Sequence, residues 1–237
     1  MKLTTWQIAT LIGAASYLIC ILAQTLPPGL PIQIVPTDFY NRIELIGFVS
    51  GVVGVYLVIK ESPYNYPVGL IWAIAYAYYF FTVAKQYGDF FVMLVTAGYL
   101  VDGWIKWRSK SLPSGEGFRE GNLSSLPITH IQPKNWIIVG LTPLIFIPLL
   151  AAILQAVKGQ FVWIDAATTT FGLLAQYLTN RKIFQSWHFW IITNLIYIPL
   201  FFYRQYYPTA ILYIIFLIMA FIGMAQWRAS MNQSNPS

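Results

Sequence analysis

The sequence predicts an all-α membrane protein: two parallel three-helix repeats joined by one linker helix, a three-plus-one-plus-three plan, with an extra hydrophobic helix at the N-terminus. Two observations lead there first. Of the 237 residues, 57% are hydrophobic and 9% charged, against about 25% charged in a soluble domain. So much apolar surface finds cover in a bilayer, not in a globular core of this size. The apolar residues also fall into eight runs, roughly 6–26, 43–60, 67–84, 88–107, 136–157, 161–180, 187–203 and 207–227. Each approaches the ~20 residues that cross the hydrocarbon as a helix.

The first run ends at Pro27, Pro28 and Pro31 and is read as crossing the membrane; lying along it instead would put the N-terminus outside and leave the rest unchanged. No small-residue cleavage site follows it, so an uncleaved helix is expected. Pro63 and Pro67 bracket the turn before the third run, and Pro208 sits where a first helical turn tolerates it. Pro143, Pro148 and Pro199 fall inside runs and are expected to kink helices without ending them. Segment 109–133, rich in Ser, Gly and Pro, is the one long loop and reads as a mobile linker. The chain thus divides into a hydrophobic helix and loop (1–41), a first repeat (42–108), the loop and linker helix (109–160), a second repeat (161–228) and a tail (229–237).

Charge orients these runs. Lys2, Lys60, Lys106, Arg108, Lys110, Arg119, Lys134, Arg181, Lys182 and Arg228 fall on one side, and Arg42, Lys85, Lys158 and Arg204 on the other. The richer side is cytoplasmic by the positive-inside rule, and both termini with it. The net charge of +6 lies between apolar runs and not on one amphipathic face, which argues against nucleic acid as a partner. Cys20 stands alone, so neither a disulfide framework nor a cysteine metal site is expected.

The repeat shows in the residues. At an offset of 121, Gly51, Tyr56 and Leu57 match Gly172, Tyr177 and Leu178, while Glu44 meets Asp165 and Lys60 meets Arg181. At an offset of 120, Tyr87, Gly103, Trp107 and Arg108 recur as Tyr207, Gly223, Trp227 and Arg228. Each repeat holds three spans, an odd number, and the lone span 136–157 crosses back, so both repeats start on the same side. Parallel repeats occur in secondary transporters, with the substrate held between the halves near the midplane.

The polar chemistry is concentrated in the second repeat. Asp165, Thr169, Gly172 and Gln176 recur at helical spacing on one face. Such a stripe faces protein or water and not lipid. It reads either as a solute pathway or as an interhelical seam with Gly172 allowing close packing. Asp165 by itself suits a helix start. Trp187, Trp190, Asn194 and Tyr197 share a face of the next span. Aromatic faces attract flat cationic rings, and Asn offers a donor and an acceptor to a carboxamide. Trp187 also suits the interfacial aromatic belt, as do Trp107 and Trp227 beside Arg108 and Arg228. His188 reads as interfacial, Asn65 and Asp89 as helix caps, and Asp102 with Lys106 as a local ion pair. The matching face of the first repeat, Glu44, Phe48, Gly51 and Val55, is mostly apolar, so the second repeat should supply most polar contacts.

There is no phosphate-binding G-x-x-x-x-G-K-[ST] loop and no H-E-x-x-H. With His130 and His188 as the only histidines, no metal or other cofactor is expected. Deep ionisable groups are scarce, so the expected mechanism is facilitated diffusion by alternating access.

These residues resemble the PnuC family of vitamin transporters over about 42–228. The likeness rests on Glu44–Gly47–Gly51, the segment Asn65 to Gly69, Tyr87–Gly88–Asp89, and Gly103–Trp104 with Trp107. It continues in Asp165, Gln176, Arg181–Lys182, the W-x-x-W-x-x-x-N of Trp187, Trp190 and Asn194, and Gly223 with Trp227. The resemblance implies a fold similar to the SWEET sugar transporters and uptake of nicotinamide riboside with metabolic trapping by a separate kinase. It further implies a homotrimer and a place in the bacterial inner membrane. Around the substrate we expect Gln176, Trp187, Trp190, Asn194, Thr169 and Tyr197. The third span of the first repeat departs from the pattern expected of nicotinamide riboside carriers, which leaves thiamine or riboflavin as alternatives. A membrane-embedded enzyme would need a nucleophile–base pair that Asp165, Thr169 and Gln176 do not provide, and a non-transporting subunit is the remaining alternative.

Overall fold

The protein's structure, a computed structural model, describes residues 4–24, 39–79, 81–82, 87–109, 126–156, 161–203 and 207–234. Over these residues it is helical: α1 (Thr5–Gln24), α2 (Phe39–Ile59), α3 (Asn65–Tyr79), α4 (Tyr87–Ser109), α5 (Trp136–Ala156), α6 (Val162–Asn180), α7 (Ser186–Tyr203) and α8 (Tyr207–Ser234). Each apolar run is one helix. α8 continues past its run because neither Gly nor Pro interrupts it between Gly223 and Pro236. Among the described residues, Phe90–Arg108, Pro133–Ala156 and Ala210–Gln233 have both the length and the apolarity of a membrane span. α5 and α7 run on through Pro143, Pro148 and Pro199, as expected. Pro27, Pro28 and Pro31, and the side chains of Glu44 and Asp89, lie outside the described residues.

The chain forms two compact units, Met1–Leu126 and Pro127–Ser237. In the first, α1 packs on α2, α2 on α3 and α3 on α4. In the second, α5 packs on α6, α6 on α7 and α7 on α8. Short connections make consecutive helices antiparallel neighbours. α5, expected as a linker, therefore lies along α6. It is apolar all round, and Ile137, Leu144, Ile145 and Ile153 project from it uncovered, which is a surface suited to lipid.

Two corners, α2–α3 and α6–α7, are built alike. In the first, Glu61 N–H donates to Val58 C=O at 3.0 Å, Ser62 N–H to Leu57 C=O at 2.8 Å and Tyr66 N–H to Pro63 C=O at 3.3 Å. In the second, Lys182 N–H donates to Thr179 C=O at 2.9 Å, Ile183 N–H to Leu178 C=O at 3.0 Å and Trp187 N–H to Phe184 C=O at 3.3 Å. Glu61 and Lys182 both take the left-handed conformation that ends helices, with φ of 55° and 50°, although neither is glycine. Asn65, expected as an accepting cap, is buried in the first corner and instead donates Nδ2–H to Ser62 C=O at 2.7 Å.

Beneath each corner an aromatic side chain meets a tryptophan edge-on. Tyr66 and Trp107 lie 5.3 Å apart at 85°, and Trp187 and Trp227 lie 5.3 Å apart at 84°. Trp107 and Trp227 are fully buried, which corrects their reading as belt anchors. A belt indole keeps its edge at the wet interface, whereas these two are sealed inside their own units against a neighbouring ring. Arg108 and Arg228, the next residues, remain exposed and take the interfacial role. Asp102 and Lys106 form the expected ion pair.

The connector also differs from its expectation. Thr129 N–H donates to Lys182 C=O at 3.0 Å and Phe184 N–H to Thr129 C=O at 2.8 Å, a parallel bridge onto the α6–α7 corner. Ile131 N–H donates to Gln185 Oε1 at 3.0 Å. The Ile131 side chain packs with Val139, Leu174 and Leu178. The end of the loop is thus docked, because it carries an apolar residue and free backbone groups that the corner satisfies. Residues 110–125 of that loop lie outside the described part.

Candidate functional site

The site is built on facing stretches of α6 and α7. α6 has the strongest separation of polar and apolar faces in the chain, and its buried residues include Thr168, Thr170, Thr179 and Asn180. A polar side chain inside a membrane helix must find a partner. Thr168, Thr170 and Thr179 each donate to a carbonyl one turn earlier in their own helix. Thr193 does the same in α7.

A hydrogen bond ties the two helices together. Trp190 Nε1–H donates to Thr179 Oγ1 at 3.1 Å. From that point α6 runs back to Gln176 and α7 runs on to Asn194. The helical rise places them ~4.5 Å and ~6 Å further along antiparallel helices, so they come level with each other. Gln176 Nε2–H donates to Asn180 Oδ1 at 2.8 Å. Asn194 is 4% exposed. A buried amide costs ~1–3 kcal/mol unless a protein group, a ligand or water satisfies it.

The remaining expected residues take other places. Asp165 lies in the first turn of α6, where a carboxylate suits the helix dipole. Thr169 and Gly172 continue the half-exposed stripe toward Gln176. A Cβ added at Gly172 would meet nothing within 4 Å, so among the described residues this glycine does not serve close packing. Trp187 is 2% exposed and fills the α7–α8 seam: the Cβ that Gly223 lacks would lie 2.3 Å from its ring. Tyr197 stacks into an aromatic group with Tyr213, at 4.6 Å, and Phe201. His188 is exposed and edge-on to Phe184, in keeping with an interfacial role.

Reading the sequence missed Thr179 and Asn180. Their spacing of three and four from Gln176 was the available signal. Next to Arg181 and Lys182 they resemble the polar end of a span. The residues that match this cluster in the first unit, at the offset of 121, are Val55, Val58, Ile59, Gly69 and Ala73, all apolar or small. The polar equipment therefore belongs to the second unit. Among the described residues no group of His, Cys, Asp and Glu is placed to hold a metal.

Comparison with known proteins adds a family. The family model for nicotinamide mononucleotide transporters matches residues 41–229. The nicotinamide riboside transporter PnuC of Escherichia coli K12 is 25% identical over 208 residues, covering 78% of this chain and 84% of that protein. The nicotinamide riboside transporter PnuC of Haemophilus influenzae is 24% identical over 197 residues, covering 81% and 82%. A crystal structure of the vitamin B3 transporter PnuC superposes with a TM-score of 0.71 at 19% identity, over 96% of this chain and 93% of the other. That likeness is one of fold.

Proposed function

This chain belongs to the nicotinamide mononucleotide transporter family, and we propose that it carries nicotinamide riboside across the bacterial inner membrane. It is a membrane transporter, not an enzyme. The observation that carries the substrate is the α6–α7 face: an indole for the cationic pyridinium ring, and Gln176 and Asn194 for its carboxamide. The riboside is preferred over the mononucleotide because no Lys or Arg falls on the Asp165–Thr169–Gly172–Gln176 stripe or within α7. A phosphate dianion entering that face would meet Asp165 and no cation from the stripe or from α7. Trp187 acts by holding α7 against α8, and Tyr197 and Thr169 border the ligand.

Transport is facilitated diffusion by alternating access, with trapping left to a separate enzyme. Proteoliposomes loaded with neither ATP nor an ion gradient should take up labelled nicotinamide riboside until it equilibrates. Accumulation beyond equilibrium that an ionophore abolishes would show ion coupling instead. Uptake competed by thiamine or riboflavin but not by nicotinamide riboside would replace the substrate.

The architecture we propose is two parallel repeats, 42–108 and 161–228, with 136–157 as linker and an added N-terminal helix. The offset of 120–121 residues and the two alike corners support it. The C-terminus then lies in the cytoplasm, and the assembly is a homotrimer. A single cysteine placed within 110–125, with Cys20 replaced, should resist impermeant thiol reagents added to intact cells and react after permeabilisation. Labelling in intact cells would invert the topology.

A further inference from the structure

We propose that Thr179 and Asn180, two consecutive buried residues at the end of α6, are positioning residues that fix how the substrate site is presented. The inference rests on the site proposed above. Thr179 is 2% exposed and Asn180 fully buried, so both are kept from the ligand, yet each holds a residue that the ligand would meet. The Thr179 hydroxyl gives its proton to Ala175 C=O at 2.8 Å, which leaves only lone pairs toward Trp190. The indole N–H can only donate. The Trp190–Thr179 bond therefore has one polarity and consumes that N–H. What Trp190 has left for a ligand is its ring face, which recognises a cation by its quadrupole.

Asn180 does the same for Gln176. Its Oδ1 accepts from Gln176 Nε2, so the Gln176 amide is oriented and Oε1 is the atom left to accept. An accepting oxygen on a stripe that itself carries no Lys or Arg welcomes the N–H of a primary carboxamide. It opposes a carboxylate, which has no proton to give and carries charge into the site. Asn180 thus sets a preference for carboxamide over carboxylate on an otherwise identical ring. At the matching positions of the first unit stand Val58 and Ile59, with Gly69 in the place of Trp190, so nothing of this kind is built there.

The test is calorimetry on the purified full-length protein, with two ligands: nicotinamide riboside, and the riboside bearing a carboxylate in place of the carboxamide. Thr179→Val should weaken binding of nicotinamide riboside about tenfold, and Thr179→Ser, which keeps the acceptor, should restore it. Asn180→Ala should shrink the preference for carboxamide over carboxylate about tenfold, and Asn180→Asp, which keeps an acceptor for Gln176, should retain more of it. A purely structural role would lower affinity for both ligands alike, without rescue, and that result overturns the proposal. Should the valine or alanine variant not fold, the wild type still decides. The Trp190 indole proton, assigned by its loss in Trp190→Phe, should exchange slowly with solvent, and fast exchange refutes the Thr179 contact. If Trp190→Ala and Asn194→Leu themselves bind like wild type, the site reading fails. If they lose affinity while Thr179→Val and Asn180→Ala do not, only the positioning role fails.

Discussion

Trp190→Ala and Asn194→Leu are each expected to weaken nicotinamide riboside binding by tenfold or more. The reasons differ. A cationic ring stacked on a desolvated indole gains ~2 kcal/mol, and the alanine removes that surface. Asn194 is buried, and in the proposed site its amide meets the ligand. Leucine shares its branching at Cγ but has no polar atom, and it leaves the ligand's carboxamide without a partner, at ~1–3 kcal/mol. Since ~1.4 kcal/mol is one decade in affinity, both losses are well within reach of calorimetry on monodisperse protein. Trp227→Phe is the contrasting variant. Its ring lies under the α6–α7 corner against Trp187, so it should lower the melting temperature more than it changes affinity. Wild-type binding by both site variants would place the pathway elsewhere.

Gly223→Ala is expected to be the most destabilising change of a single methyl group in the second unit. The added Cβ would fall 2.3 Å from the Trp187 ring, which is itself clamped edge-on by Trp227. A rigid indole that is 2% exposed cannot swing aside as a flexible chain would. Overpacking of this kind costs ~1–3 kcal/mol, and here the upper end applies. Gly172→Ala should do the reverse. Nothing lies within 4 Å of its new methyl group, and alanine is favoured over glycine inside a helix by ~0.5–1 kcal/mol. Thermal unfolding in detergent compares the two directly. A Gly223→Ala protein that melts with the wild type would mean that Trp187 is not held as described.

The helices were legible because a membrane span is written in composition: a run of apolar residues of the right length has few other uses. The two alike corners fall at the 121-residue offset, with Glu61 and Lys182 at matching positions. What escaped was what depends on a neighbour. Trp107 and Trp227 precede arginines at span ends, which is also how a belt looks, and only their contacts with Tyr66 and Trp187 show them to be interior. Thr179 and Asn180 were hidden by the basic pair that follows them. Thr129 and Ile131 sit in a stretch whose composition reads as linker, and their partners are 54 residues away for Ile131. Trp190, Asn194 and Gln176 stood out because polar and aromatic residues inside an apolar run are costly to place there.

That long reach has a consequence for biosynthesis. The bond from Ile131 to Gln185 spans 54 residues, and everything between them, α5 and α6 included, must leave the ribosome first. At ~5–20 residues per second, the strap emerges seconds before the corner that receives it. Among the described residues, the helices of the first unit pack as chain neighbours. In the second, the backbone around Thr129 and Ile131 waits for its partners until Lys182, Phe184 and Gln185 arrive. A pause of the ribosome after α6 would prolong that interval, and the exposed backbone around Thr129 is where a chaperone or a protease would find the nascent chain.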